Sequence, residues 1–465
     1  MNGEIFMQKK ALLALMLAAT LLLSSCALVV KDAAVDAQTV IIRKGDTTVT
    51  KGEVQKAVLD QLNYTAYMYS MYGMSYDPTD AANIATAQSS AISALEEDIV
   101  TKEHIASDLE ALTEEQLAEV QETAQSNFDA DIEAVKSYQF ADSELEGDAL
   151  TEAAKAWMDE QGMTLDAYVQ NATESKQREL LRELVIKDVE VTEEDFLAEY
   201  NSRVESAKTS YDGNPASYAT AVNNGSTVYY APEGVRRVKQ ILTKFHDDDQ
   251  TAINDANAKV TSANSAVTAA NAKITSAQEI LDTENASEED KAQAQTDLDA
   301  ANAELETANA DLAAAQSELE AARETAFANI EEETDAILAE LADGADWDTL
   351  MAEKNQDPGM KSGTAAEKGY AVAADMTSFD SAFVEAAMGL ENIGDISGKI
   401  RGDAYGYYII KYIGDEPVGE IGPETVRETL TSSLLSTKQS TFYNDTLAQW
   451  VEDAKFQVDL NALKD

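Results

Sequence analysis

Residues 379–413 read FDSAFVEAAMGLENIGDISGKIRGDAYGYYIIKYI. Phe379, Phe383, Ala386, Ala387 and Leu390 fall at three- to four-residue spacing, so they share one face of a helix. Gly389 and Gly394 stand where that helix should stop. Ile396 and Ile400 follow as a short strand, and Gly402-Asp403 marks a turn. Tyr407 to Ile413 is rich in β-branched and aromatic residues, which suit a half-buried pleated surface. The order is helix, short strand, turn, strand.

Working outward, Val235 to Phe245 (VRRVKQILTKF) reads as another strand, separated from the first stretch by a long insert. In that insert Ile253, Val260, Val267, Ile274 and Leu281 repeat at seven, with Ala256, Ala263, Ala270 and Ala277 three residues later. A second series pairs Leu298, Leu305, Leu312 and Leu319 with Ala294, Ala301, Ala308, Ala315 and Ala322. Sustained heptads imply a coiled coil. Asn285 to Asp290 offers a turn and a new helix cap, so the expectation is an antiparallel hairpin. It could serve as spacer, client arm or dimerisation surface, or simply be a self-contained hairpin. Ile330 to Leu341 continues helically behind it.

The motifs resemble a parvulin-type peptidyl-prolyl isomerase domain. Phe383, Ala386 and Leu390 match the family's F-x-x-A-x-x-x-L, Gly394 to Ser397 its G-x-I/V-S, and Gly406 to Lys411 its closing G-Y-H-I-I-K. Val235 to Phe245 resembles the family's opening V-R-x-x-H-I-L, with Gln240, just before Ile241-Leu242, in the place of the histidine. Gly344 to Ala352 is similar to G-A-D-F-x-x-L-A, Asn355 to Gly359 to S-x-D-P-G, and Lys368-Gly369-Tyr370 to the end of G-G-D-L-G-Y/F. The second family histidine is Tyr408 here.

Prolyl isomerisation crosses a barrier of about 18–20 kcal/mol without breaking a covalent bond. It needs an apolar seat for the ring and polar groups that favour a twisted imide. The resemblance implies Met376, Phe379 and Phe383 as the seat, Asp357 beside the imide carbonyl, and Gln240 and Tyr408 where two histidines pair. Gln and Tyr can hydrogen-bond to each other. The resemblance thus implies isomerase activity. Loss of both histidines keeps open a catalytically inactive holdase or surface interaction protein built on the same scaffold.

The N-terminal part reads as two short strands, Val40–Ile42 and Thr47–Val49, then long helices. Thr50 to Glu53 and Thr192 to Asp195 have capping-box spacing. Breaks fall at Tyr72-Gly73, Asp77-Pro78, Gly147 and Gly162. Trp157 and Tyr168 are expected between helices, and Phe196 and Tyr200 on one face. Tyr67 to Met74 is either helix-packing core or an adaptable apolar surface for clients. Residues 211–234 read as a loop. Pro423 to Ala454 returns as a helix, and Phe456 to Leu460 alternates like a closing strand. A helical segment before an isomerase-like domain is similar to the layout of PrsA-type and SurA-type extracytoplasmic foldases.

At the start, Lys9-Lys10 precede the apolar run Ala11 to Leu23, too short for a comfortable membrane span. Leu23-Ser24-Ser25-Cys26 resembles a bacterial lipobox, which implies lipidation at Cys26 and a place on the extracytoplasmic face of the cell membrane. The formal charge of −52, from 86 acidic and 34 basic residues, argues against nucleic acid as a partner. One cysteine excludes an internal disulfide. Two histidines, His104 and His246, exclude most zinc sites; no cofactor and no metal site is expected.

The resulting reading is α+β. It runs as a leader 1–25, a linker 26–39, a helical chaperone part 40–234, a parvulin-like part 235–415 with a small antiparallel sheet and the coiled-coil insertion 248–326, and a C-terminal return 416–465. The expected partners are unfolded or secreted polypeptides, the membrane through a lipid anchor, and a possible second copy of the chain.

Overall fold

A computed structural model describes residues 33–463. Cys26 and the leader lie outside the described residues. The chain divides into two units, one of residues 1–191 with 433–465 and one of residues 192–432. The fold is α+β, long helices with small antiparallel sheets.

The first unit opens with β1 (Val40–Lys44) and β2 (Thr47–Thr50), paired antiparallel around Gly45. Thr50 then closes a capping box with Glu53 and starts α1 (Lys51–Met71). Asp80 caps α2 (Ala81–Asp108) through the amides of Ala82 and Asn83. Ile41, Ile42, Val49, Val54, Ile92 and Ile99 form one core. A second core joins α3 (Glu114–Tyr138), α4 (Gly147–Glu160) and α5 (Leu165–Ile186) through Phe128, Ile132, Ala154 and Met158. Trp157 and Tyr168 pack at its edge.

The second unit begins at the capping box of Thr192 and Asp195, which starts α6 (Glu193–Tyr211). Residues 215–223, read from sequence as loop, form α7 (Pro215–Asn223). Asn214 caps it, and Pro215 occupies its first turn, where a missing amide costs nothing. Tyr218 and Ala219 are fully buried against Val235 and Val238. Asn223 completes the attachment: its side-chain amide donates to the Ala371 carbonyl at 2.7 Å and its oxygen accepts from the Ala371 amide at 2.9 Å. This packing is why the unit starts at Thr192, ahead of the strand at 235.

After β3 (Tyr230–Ala231) comes β4 (Arg236–Lys244), the strand around which the unit's main sheet is built. The hairpin follows as α8 (Asp247–Asp282) and α9 (Glu288–Ala342). Ion pairs Lys259–Glu318 and Lys273–Glu304 fix the arms antiparallel. The alanines of both series are buried except Ala322, while Val260, Val267, Ile274 and the Leu298–Leu319 series are half-buried. Small residues let the backbones approach, so the larger side chains flank the seam. At 1.5 Å per residue the first arm is about 54 Å long. Its base is pinned by the Phe245, Phe327 and Tyr407 rings, with centroids 4.9 and 4.8 Å apart.

Beyond it lie α10 (Trp347–Lys354), α11 (Thr364–Lys368), β5 (Tyr370–Val372), α12 (Ser381–Gly389), β6 (Ile400–Arg401) and β7 (Gly406–Asp415). The sheet order is β5-β4-β7-β6, antiparallel throughout. Strand alternation sends Val238, Leu242, Tyr408 and Ile410 to one face, with Phe383 and Val384 of α12. Ile241 and Ile409 go to the other, against Ile337, Trp347 and Leu350. After β8 (Gly419–Glu420), α13 (Pro423–Ala454) crosses from the second unit's residues into the first's. There β9 (Gln457–Val458) pairs with β1, placing Val458 opposite Ile42.

Candidate functional site

Gln240 sits in the middle of β4, opposite Ile410 of β7; two residues on, Leu242 stands opposite Tyr408. Both Gln240 and Tyr408 therefore project from the same sheet face. The loop after α10 is tied to β4 beside them. Asn355 accepts from the Leu242 amide at 2.8 Å and from the Asp357 amide at 3.0 Å. The Gln356 amide donates to the Leu242 carbonyl at 3.0 Å. This loop acts as a short surrogate strand that delivers Asp357 under the sheet.

Asp357 is the polar centre. Its Oδ2 accepts from Gln240 Nε2 at 2.7 Å and from the Tyr370 hydroxyl at 3.0 Å. Its Oδ1 accepts from the Gly359 amide at 2.9 Å. Asp357 and Gln240 are both buried. Burial, and next the Asp357 charge, hold the Tyr370 hydroxyl well above the ordinary phenol range. Tyr370 therefore stays a donor. A Cβ at Gly359 would collide with the Tyr370 hydroxyl, so the glycine is required for this approach.

The apolar side is continuous with it. Tyr370 meets Phe379 edge-on at 5.0 Å, Phe379 meets Phe383 at 5.2 Å, and Phe383 meets Tyr408 at 5.3 Å. Phe383 is only 2% exposed. Tyr408 is buried too, and burial foremost keeps its hydroxyl protonated, with Asp380 the largest charge contribution. A Cβ at Gly402 would strike the Tyr408 ring. The phenol thus fills the space between α12 and the turn before β7.

The structure brings Gln240 and Asp357 into direct contact and joins Phe379, Phe383 and Tyr408 in one chain of rings. The hydrogen bond that Gln240 and Tyr408 could make with each other does not form; Gln240 turns to Asp357 and leaves its own Oε1 without a partner. A carboxylate is the stronger acceptor for the amide, and the Tyr408 ring is directed at Phe383. Met376 is buried in the same core but also lines a separate cavity of about 540 Å³ with Ser381, Val384, Glu385 and Met388. Tyr370 and Asn355 were not singled out from sequence. Tyr370 ends the glycine-tyrosine motif before β5, the one signal that could have found it. In the first unit a groove of about 470 Å³ runs between α3 and α5, lined by Glu119, Asp131, Tyr168, Asn171 and Lys176.

No family model matches the chain. Over 129 residues the chain is 29% identical to Foldase protein PrsA of Clostridium tetani, which covers 27% of this chain and 36% of that protein's length. The crystal structure of foldase protein PrsA from Streptococcus pneumoniae aligns over 91% of this chain and 97% of that one. Its identity is 14% and its TM-score 0.21, too loose a superposition to carry structural inference. Over its aligned stretch, the chain is similar in sequence to a PrsA-type foldase, the class to which its parvulin-like motifs also point.

Proposed function

We propose that this protein is an extracytoplasmic lipoprotein of the foldase type that holds unfolded secreted polypeptides, with its parvulin-like unit serving as a binding scaffold and not as an efficient isomerase. The observation that carries the reading is the closure of the polar centre. All three donors around Asp357 are engaged, and Phe383 lies sealed under Tyr408. A twisted imide would need a free donor and an open apolar seat; here the donors around Asp357 are engaged with it, and Phe383 is covered by Tyr408. The sequence similarity to a PrsA foldase supports the general role.

The test has two arms. The full chain should suppress aggregation of a chemically denatured client at near-stoichiometric ratio. In a protease-coupled prolyl peptide assay it should accelerate cis-to-trans exchange little above the uncatalysed rate. Absence of aggregation suppression sinks the holding role. A second reading, true prolyl isomerisation, is favoured by one observation: Gln240, Asp357, Phe383 and Tyr408 share one sheet face. Strong acceleration in the peptide assay would establish it. The anchor is tested separately, since Cys26→Ser should move the protein from the membrane fraction to the soluble one.

A further inference from the structure

The end of α1 carries chemistry that the foldase reading leaves unused. Between Asp60 and Asp77 the chain reads QLNYTAYMYSMYGMSY, with no charged side chain, in a protein of formal charge −52. Of the two sequence alternatives for this run, helix-packing core is not what forms. Tyr72 is 72% exposed, Met71 64% and Met74 53%, and Met68 is half-buried.

Met68, Met71 and Met74 follow one another at three-residue spacing. Met68 and Met71 are neighbours on one helix face, with Cβ atoms about 5–6 Å apart. Met74 lies past the helix end, but the chain is folded back there. The Met74 amide donates to the Tyr69 carbonyl at 2.9 Å, the Gly73 amide to that of Ser70 at 3.1 Å, and Gly73 has φ 68°. This is a Schellman termination, which turns its last residue toward the helix's final turn. The Tyr69 and Tyr76 rings, 5.2 Å apart, fasten the following segment to the same turn. The backbone thereby places three methionines at one helix end.

Thioethers are soft, polarisable ligands that select Cu(I), whereas calcium and magnesium demand several oxygen ligands. The uncharged run offers no carboxylate to a hard ion. Among the described residues no group of three or more His, Cys, Asp or Glu side chains is placed to hold a metal. The carbonyl end of a helix carries partial negative charge, which favours a cation there. We propose that Met68, Met71 and Met74 form a thioether site for a soft monovalent cation, Cu(I).

The test uses the full chain carrying Cys26→Ser, which removes its only thiol, with methionine methyls labelled with carbon-13. Ag(I) serves as a redox-stable probe. The methyl signals of Met68, Met71 and Met74, assigned by single Met→Leu substitutions, should shift together and saturate at one equivalent. The same protein should retain one equivalent of Cu(I) against bicinchoninate, and the triple Met→Leu variant none. Leucine keeps the apolar volume, so this loss separates ligation from stickiness. Shifts spread over the other methionines, no saturation near one equivalent, or Cu(I) retention by the triple variant overturns the proposal. So does a patch that binds denatured client while its methyl signals ignore silver.

Discussion

Replacing Asp357 by alanine should unfold the second unit more easily while leaving prolyl exchange unchanged. The substitution orphans three donors at once: Gln240 Nε2, the Tyr370 hydroxyl and the Gly359 amide. At about 1 kcal/mol each, the low end for an unsatisfied buried group, the loss is about 3 kcal/mol. Asp357→Asn should cost only about 1 kcal/mol, because one oxygen still serves Gly359 and the new amide can donate to the Gln240 Oε1 that now lacks a partner. Trp347 makes the measurement selective. It is buried and is the second unit's only tryptophan, Trp157 and Trp450 belonging to the first. In a Trp157→Phe, Trp450→Phe background, urea unfolding followed by fluorescence reads the second unit alone. With a slope of about 2 kcal/mol per molar urea, alanine should lower the midpoint by about 1.5 M. A change within about 0.5 kcal/mol, the scatter of ordinary surface substitutions, refutes the reasoning. So does asparagine costing as much as alanine.

Gln240→His combined with Tyr408→His should raise the rate in the prolyl peptide assay above wild type, because it clears the phenol from Phe383 and restores the pair that the parvulin resemblance implies; an unchanged rate means the seat is blocked by something else. Gly402→Ala should destabilise the second unit by about 1–3 kcal/mol, read as a lowered urea midpoint, since the added methyl meets the Tyr408 ring. Removing the facing two-heptad pieces 260–273 and 304–317 together should leave the Trp347 unfolding transition in place, because the base of the hairpin at Phe245, Phe327 and Tyr407 is untouched. Tyr168 is held up to about 12, by burial first and then by its bond to Asp131. A raised folded value means the contribution is complete below pH 10, the ordinary value, and is lost as pH climbs from 10 through about 12. Tyr168→Phe should flatten the first unit's stability loss across that window, followed by Trp157 fluorescence.

The stretch from Phe379 to Ile413 was legible because helix and strand periods change within it at glycines. The strand at 236–244 was legible across a long insert because Gln240-Ile241-Leu242 and the residues before them resemble the parvulin opening strand. The hairpin was legible because heptads need no tertiary context. What sequence could not show was which polar partners pair. Gln240 faces both Tyr408 and Asp357 by residue type, and only the loop tied down by Asn355 decides for the carboxylate. The helix at 215–223 was hidden among Gly, Asn and Ser, although Asn214-Pro215 is a start signal. The methionine and tyrosine run misleads for a related reason: apolar periodicity is the usual mark of burial, yet Tyr67, Met71, Tyr72 and Met74 are exposed.

The central place of β1 in its small sheet has a consequence for biogenesis. Its outer partner, Val458, lies more than four hundred residues downstream of Ile42. A polypeptide emerging N-terminus first can pair Val40–Lys44 with β2 at once, but the β9-facing edge at Ile42 and Arg43 stays open until almost the whole chain has emerged, while residues 192–432 already hold everything their own core needs. Bare strand edges invite association with other chains, so the emerging protein carries such an edge until its last residues arrive.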